Sequence, residues 1–592
     1  MRRIELGAEK SGRPIFMSEE QRGMHVRICG GTGRGKSTLM RRMILQDIQA
    51  GHGVCVIDPH GSLVNRVLCD LSETRPVVGR HWPVSIIEPG RTDFSTGFNP
   101  FSGHLDRYAA MDRIVAATLA AWQQFDQSGT PRMPRVLMMV FSLLAAKGYP
   151  LSDALILLQN KEVRARALAE GVDPALMEEW LGLQSLKPNE FRDYVDSASN
   201  RLFPFVSSST IRRMFGTTDV GINFREKIEK RSIILVNLAE SDYFTRRSAD
   251  LVGGLIINDL VQSARLRSPN EPRPFYLYVD ECARFLNDDI ISALDETRKY
   301  GLHLTLAHQY SSQLKERGEG ILGAALSIQN QIAFGGGYAP EDLEILAKIF
   351  FTGTIRHDEF IPGTSEPIVT GYEWEDKTSV TITHTDGDSF SDSESETEGE
   401  YEGLAQSISG GISYTPGPKQ IEGPRKGERT TPSVWTYGGQ IGKTRAEGRS
   451  ISRGAAQART RTESKSISVT HDKALVPIMG DSKGQRYTLE EQYERCRGVL
   501  KFLPRGKALI RVGDSAPQNL NVQAIPDPQT PIAQSLQQKR YEAFRRAIFA
   551  RMVERGEALP SAEVDARILA RQTKLRNAGE IDSFDETESF SQ

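Results

Sequence analysis

The run Gly30-Gly31-Thr32-Gly33-Arg34-Gly35-Lys36-Ser37 constrains this chain more than any other feature. Its glycines let backbone N–H groups turn inward around an anion. Before it, Met24 to Cys29 (MHVRIC) reads as a strand; after it, a helix is expected from Ser37 to Ala50. The strand–loop–helix context is what a phosphate-binding loop needs, because the helix start adds its positive dipole end. A chance glycine-rich turn has no reason to sit between those two elements. Lys36 then brings a point charge to the β- and γ-phosphates of ATP, and Ser37 a hydroxyl to Mg²⁺. The expected nucleotide contacts are Gly30, Gly31, Thr32, Gly33, Arg34, Gly35, Lys36, Ser37 and Thr38.

Gly51–His52–Gly53 ends the helix, and Val54 to Ile57 (VCVI) is a buried strand closing at Asp58. Strand–helix–strand at this spacing is a βαβ unit and implies a parallel sheet, hence an α/β fold. Further strands are expected at 84–87, 232–238, 275–279, 302–307 and 331–334, and a helix at 341–350. Between them, 101–215 reads as helical throughout. A chain of 592 residues exceeds what one core supports. The expected division is 1–100 and 221–375 for the nucleotide-binding core, 101–220 for an all-α insertion, 376–472 for a Ser/Gly-rich charged insertion, 473–530 for final core strands, and 531–592 for a C-terminal helix and tail. Within these, 499–502 and 507–512 read as strands, 532–555 as helix, and the acidic end from Asp582 as frayed.

Several classes are excluded. A net charge of −2 supplies no global field toward nucleic acid or membrane, so any such contact is local. The five cysteines lack metal-ligand spacing and form no disulfide framework. The longest apolar run, Val136 to Ala146, is too short to span a bilayer and reads as a buried helix. No signal peptide is read in the first residues, and a cytoplasmic location is the expectation.

Phe275 to Val279 is an apolar strand ending in Asp280-Glu281. It places two carboxylates at the carboxyl edge of the sheet, where ligands bind. Asp280 is expected to hold Mg²⁺ through water and Glu281 to polarise the attacking water. An exposed acidic turn is the bland alternative, weakened by the phosphate loop upstream. Gln309 directly follows the strand 302–307, expected to lie beside the Asp280 strand. Arg298 alone reads as a solvated helix-end cation. His60 is as easily a turn residue as a nucleotide contact, Arg212–Arg213 as easily a solvated face as a DNA contact, and Trp122 and Trp180 read as core.

The order of these pieces carries a resemblance. The phosphate loop, DPHG at 58–61, GFNPF at 97–101, YVDEC at 278–282, TRKYG at 297–301 and LAHQY at 306–310 follow one another. The chain resembles the FtsK–HerA superfamily of ring translocases, and within it the coupling ATPases of conjugation and type IV secretion. The resemblance implies a RecA-like core, an all-helical domain at 101–215, and a homo-hexamer acting on DNA. It also implies that Arg298 reaches a neighbouring subunit's ATP site and that Gln309 senses the γ-phosphate. Such coupling ATPases carry transmembrane helices before the phosphate loop, whereas here the loop begins at residue 30; a protein recruited to the inner membrane by a relaxase or secretion-channel partner is the corresponding expectation. Two alternatives stand beside it: a HerA-like cytosolic DNA motor for repair or defence with a nuclease partner, and a nucleotide-switched interaction protein that moves no DNA.

The Ser-rich segment holds ordered charge. Asp386, Asp388, Asp392, Glu394, Glu396, Glu398, Glu400 and Glu402 occupy even positions; Lys443, Arg445, Arg449, Arg453, Arg459, Arg461 and Lys465 occupy odd ones. A period of two puts each set on one face of an extended strand. Composition favours a linker, but the pattern predicts a two-stranded arm with Ile382 opposite Val469, Asp386 opposite Lys465, Asp392 opposite Arg459, Glu398 opposite Arg453 and Glu402 opposite Arg449.

Overall fold

A computed structural model describes residues 3–73, 83–101, 107–120, 132–169, 171–268, 273–286, 296–351, 368–386, 393–398, 413–416, 421–422, 429–430, 433–436, 463–480, 488–525 and 531–588. The chain divides into two compact units, Met1–Ile355 with Glu491–Gln592, and Arg356–Glu490.

In the first unit the strands are β1 (Arg3–Ala8), β2 (Pro14–Ser18), β3 (Val26–Cys29), β4 (Gly53–Asp58), β5 (Val84–Ile87), β6 (Phe94–Thr96), β7 (Ile233–Asn237), β8 (Phe275–Val279), β9 (Leu302–His308) and β10 (Asn330–Phe334). In the second they are β11 (Ile368–Asp386), β12 (Ser393–Glu398), β13 (Ser413–Pro416), β14 (Ile421–Glu422), β15 (Arg429–Thr430), β16 (Ser433–Thr436) and β17 (Glu463–Gly480). The chain then returns to the first unit with β18 (Lys507–Arg511), β19 (Gln518–Asn521) and β20 (Ala558–Pro560). Helices α1 (Glu19–Arg22), α2 (Lys36–Ala50) and α3 (Ser62–Glu73) lie near the start of the chain.

One eleven-stranded sheet organises the first unit, in the order β2-β1-β19-β18-β10-β3-β9-β8-β4-β7-β5. From β10 to β5 every neighbouring pair is parallel. The remaining strands extend this edge in antiparallel fashion. The phosphate-loop strand β3 is separated from the acid-bearing strand β8 by β9 alone, the strand order of RecA-like P-loop ATPases. The fold is α/β and RecA-like.

Both faces of the parallel strands are covered, which is why they read as continuous apolar runs. Cys55 and Ile57 of β4, Ile234 and Val236 of β7, and Leu277 and Val279 of β8 belong to the core shared with the helical insertion. Their alternates, Val54 and Val56, Ile233 and Leu235, and Tyr276 and Tyr278, join the core beneath α2 and α3. Helix α2 buries Leu39, Met40, Met43, Ile44 and Ile48 at helical spacing and stops at Gly51, whose φ of 80° few other residues adopt. The described elements between Phe101 and Phe215 are all helices, from Arg107–Ala120 to Ser209–Met214. The apolar run at 136–146 lies in the helix Arg132–Lys147, whose Val136, Leu137, Val140, Phe141 and Leu144 are buried. Among the described residues no helix is long and apolar enough to cross a membrane.

Two sequence expectations are corrected. Val499–Phe502 is not a strand: the helix Leu489–Lys501 takes in Val499 to Lys501 and Phe502 follows as turn, and the helix buries Gln492 and Leu500 at helical spacing. The strand-like string is the last turn of a mostly polar helix. Of the tail expected to fray from Asp582, the described residues 582–588 form the end of a helix that runs Ser561–Glu588.

In the second unit β11 pairs antiparallel with both β12 and β17. The register differs from the expected one by two residues. Ile382 lies opposite Ile467 rather than Val469, and Asp386 opposite Glu463 rather than Lys465. In the observed register Val380 meets Val469 as well. The observed register thus sets two Val/Ile pairs opposite each other, where the expected register has one. The acidic stretch around Glu398 returns onto β11, with Glu398 opposite Val380. Asp392, Glu402, Arg449, Arg453 and Arg459 lie outside the described residues.

Candidate nucleotide site

The loop between β3 and α2 is shaped by what packs beneath it. Gly30 has φ 154°, Gly33 φ 72° and Gly35 φ 127°. A Cβ on Gly30 would lie 2.6 Å from the Phe334 Cβ, and one on Gly35 would lie 2.9 Å from the Phe334 ring. The end of β10 therefore admits only glycine at both positions. The loop is also tied to the chain after β10, where Gly31 N–H donates to Gly335 O at 3.2 Å. Lys36 is buried, and its Nζ donates to Gly30 O at 2.6 Å and Gly31 O at 3.3 Å. Burial pulls the Lys36 ammonium below the usual lysine range, and the carboxylates of Asp280 and Glu281 oppose that pull.

Strands β8 and β9 carry the remaining groups to the same edge. Asp280 is buried, and its Oδ1 accepts the Glu281 N–H at 3.0 Å. Burial pushes the Asp280 carboxyl up to about 6; Asp58 adds to the push and Lys36 opposes it. Glu281 holds a left-handed backbone, φ 46° and ψ 46°. Its Oε1 accepts from Gln309 Nε2 at 2.5 Å, and Gln309 Oε1 accepts from the Thr32 hydroxyl at 3.2 Å. A continuous chain of contacts thus runs from Glu281 through Gln309 into the phosphate loop.

Beneath Gln309 lies a buried polar cluster. Arg27 of β3, fully buried, donates to His308 Nε2 at 2.8 Å, Gln331 Oε1 at 2.9 Å and Ser311 Oγ at 2.9 Å. Because His308 Nε2 accepts there, its proton sits on Nδ1, which donates to Tyr310 O at 3.0 Å. Burial and the Arg27 charge hold His308 well below the usual histidine range.

The DPHG motif is explained by a turn and a cap. Asp58 Oδ2 accepts from Leu63 N–H at 2.7 Å and Val64 N–H at 3.1 Å, satisfying donors at the start of α3. Gly61 has φ 73°, and a Cβ there would strike Asn237 Oδ1 at 2.4 Å. His60 extends its Nε2 to 3.2 Å from Glu281 Oε2, a contact the sequence reading did not contain. Sequence distance hid it, because nothing local to DPHG points at the strand that carries Glu281.

The expected site residues fall into two groups. Lys36, Asp280, Glu281 and Gln309 converge with the phosphate loop at one sheet edge. Arg298 does not join them; it is exposed on a short turn that precedes β9, at the opposite end of that strand. Of the residues with bland alternatives, Trp180 is fully buried, Arg213 pairs with Asp565 at 2.7 Å, Arg212 donates to Val206 O at 3.3 Å, and Trp122 lies outside the described residues.

The site suits Mg²⁺ bound to nucleotide. Among the described residues no group of three or more His, Cys, Asp or Glu could hold a metal alone. Mg²⁺ characteristically takes one or two protein oxygens and completes its shell with water and phosphate. Ser37 and Asp280 offer such oxygens.

Residues 14–67, which include the phosphate loop, match the family described as Helicase HerA, central domain. Among curated proteins none matches the chain. Among solved structures, the bacterial conjugative coupling protein TrwBdeltaN70 is similar over 88% of this chain and 89% of its own, at 14% identity and a TM-score of 0.46. The plasmid coupling protein TrwB in complex with ADP and Mg²⁺ is similar over 90% and 92%, at 13% identity and a TM-score of 0.45. VirB4 of Thermoanaerobacter pseudethanolicus is similar over 58% and 87%, at 13% identity and a TM-score of 0.39.

Proposed function

We propose that this chain is an ATP-hydrolysing motor of the FtsK–HerA superfamily, working on DNA as a homo-hexameric ring and serving as the coupling ATPase of a conjugation or type IV secretion system. The observation that carries the ATPase reading is the contact chain Glu281–Gln309–Thr32, which ends in the phosphate loop beside Lys36 and Asp280. The motif order from the phosphate loop to LAHQY supports the superfamily.

The residues divide the work. The loop N–H groups and the α2 dipole cradle the phosphates, and Lys36 exchanges its loop carbonyls for phosphate oxygens. Ser37 and Asp280 would hold Mg²⁺, which neutralises charge on the β- and γ-phosphates. Glu281 accepts a proton from the attacking water. Gln309, bonded to Glu281 and to the loop, links the state of the γ-phosphate to β9 and the Arg27–His308 cluster beneath it. Arg298 completes the site of the next subunit. DNA is held in the ring pore through its phosphates without sequence reading. The protein works in the cytoplasm and reaches the inner membrane through a relaxase or secretion-channel partner.

The match of residues 14–67 to the HerA central domain favours a second reading, a HerA-type cytosolic DNA motor paired with a nuclease. Both readings require DNA-stimulated turnover. The test is ATP hydrolysis by the full chain with and without DNA. Lys36→Ala is expected to lose ATP binding. Glu281→Gln is expected to bind ATP but hydrolyse it about 100-fold more slowly. Wild-type turnover indifferent to DNA would replace the motor with a nucleotide-switched interaction protein.

A further inference from the structure

Beside the phosphate loop lies a cavity of about 220 Å³, lined by Gly33, Ser37, Thr38, Arg41, Arg66 and Arg505 among others. Its position relative to the loop identifies what it can receive. The γ-phosphate side is marked by Thr32, Gln309 and Glu281, and none of these is among its lining residues. The lining runs from Gly33, Gly35, Lys36 and Ser37 of the loop to Thr38 and Arg41, one turn along α2. The cavity thus begins at the phosphate-holding residues and continues along α2 away from Thr32, Gln309 and Glu281, the direction left for the nucleoside of a nucleotide whose phosphates the loop anchors.

Arg41 is already committed. It holds Asp70 in a two-point contact, Nε to Oδ2 at 2.7 Å and Nη2 to Oδ1 at 2.6 Å. Arg505 differs. It is exposed, and it forms no ion pair with another described residue. Its backbone, however, is fixed against the loop. The following Gly506 N–H donates to Arg34 O at 2.9 Å, Val522 N–H donates to Gly506 O at 2.8 Å, and Lys507 N–H donates to Pro504 O at 3.0 Å. Gly506 takes φ 76°, and a Cβ on Gly35 would come within 3.4 Å of the Gly506 Cα. The turn that opens the hairpin β18–β19 is thus built onto the phosphate loop, although it stands far away in sequence. A cationic side chain on a fixed base at the rim of a cavity is placed to bind and not merely to solubilise.

We propose that Arg505, together with Arg66 of α3, holds the purine nucleoside of the bound nucleotide, a role that rests on reading Gly30–Ser37 as the phosphate loop. A guanidinium is planar and weakly hydrated, so it stacks on a base face in a way an ammonium cannot. The hairpin β18–β19 then becomes part of the substrate site, and the final strands of the first unit choose the nucleoside while the first strands hold its phosphates.

The test compares equilibrium binding of Mg²⁺-ATP, Mg²⁺-ADP and inorganic tripolyphosphate to the full chain. Arg505→Ala is expected to weaken ATP and ADP about tenfold and to leave tripolyphosphate within about twofold. Retained tripolyphosphate binding also shows that the variant is folded. Arg505→Lys should not recover ATP binding, whereas Arg505→Trp, another flat stacking group, should recover part of it. Arg66→Ala combined with Arg505→Ala should weaken ATP further, again sparing tripolyphosphate. Equal losses for ATP and tripolyphosphate in Arg505→Ala would make the residue a phosphate cation and overturn the proposal, as would unchanged ATP affinity. A wild-type chain that binds neither ATP nor tripolyphosphate would remove the phosphate-loop reading itself, and the proposal with it.

Discussion

Glu281 occupies φ 46° and ψ 46°, a left-handed backbone that costs a residue other than glycine of order 1–3 kcal/mol. The turn directs its carboxylate to two groups at once, Gln309 Nε2 on one oxygen and His60 Nε2 on the other. Gln309 in turn accepts from Thr32, so removing its amide leaves Glu281 with His60 alone while keeping Lys36 and the loop glycines intact. Gln309→Ala is therefore expected to lower kcat about 10- to 100-fold, with ATP affinity within about threefold. Steady-state turnover read beside binding of a fluorescent ATP analogue separates the two effects, and a loss confined to affinity would remove Gln309 from the catalytic group. The residues legible in the sequence here were those whose chemistry is local: the loop from Gly30 to Ser37 and the adjacent Asp280 and Glu281. The partners that arrive from other elements, His60 on Glu281 and Arg505 at the loop, carry no signal in their own neighbourhoods.

Strand β9 brings a different kind of prediction, because it buries histidines near both ends. Burial, reinforced by His25 and Arg22, pushes His303 down to about 3, and burial with Arg27 pushes His308 down as well. Both are neutral in the folded protein. Below a pH of about 6.5 the unfolded chain takes up protons that these side chains refuse, so stability falls as pH drops, by about 1.4 kcal/mol per unit per group. For His303 the fall continues until about 3. Asp280, pushed up to about 6, acts in the opposite sense, since the folded state then holds the extra proton. Urea unfolding of wild type and His303→Asn at pH 7.5 and 5.5 isolates one group: the variant should lose less stability between those pH values. Equal losses would mean that His303 is not held neutral. The long pair β11–β17 shows where pattern reading stops. Period-two charge gave extended arms, but a ladder can slide by two residues without changing which face a side chain occupies. The observed register places Val380 opposite Val469 and Ile382 opposite Ile467, and charge parity is blind to that difference. In a background with Cys69 and Cys496 replaced by serine, Ile382→Cys with Ile467→Cys should form a disulfide under mild oxidation faster than Ile382→Cys with Val469→Cys. The reverse preference would restore the charge-based register.

At the scale of the molecule, the question is what Arg298 does so far from the phosphates of its own chain. It stands before Leu302, the first residue of β9, while Gln309 directly follows the last. Seven residues of strand at about 3.3 Å each put roughly 23 Å between those ends, more than an arginine side chain spans. A catalytic role for Arg298 therefore requires a second copy of the chain, and head-to-tail repetition of such a contact forms a ring when its rotation closes. Turnover per chain should then rise with protein concentration before reaching a plateau. Mixing tests the geometry directly. Lys36→Ala subunits keep Arg298, and Arg298→Ala subunits keep Lys36, so an Arg298→Ala subunit followed by the right neighbour has every part of one site. Neither variant alone should turn over ATP appreciably, while an equal mixture should recover up to about a quarter of wild-type activity if subunits assort at random. A mixture as inactive as its components, or Arg298→Ala alone at full activity, would return Arg298 to an exposed cation at the end of a turn.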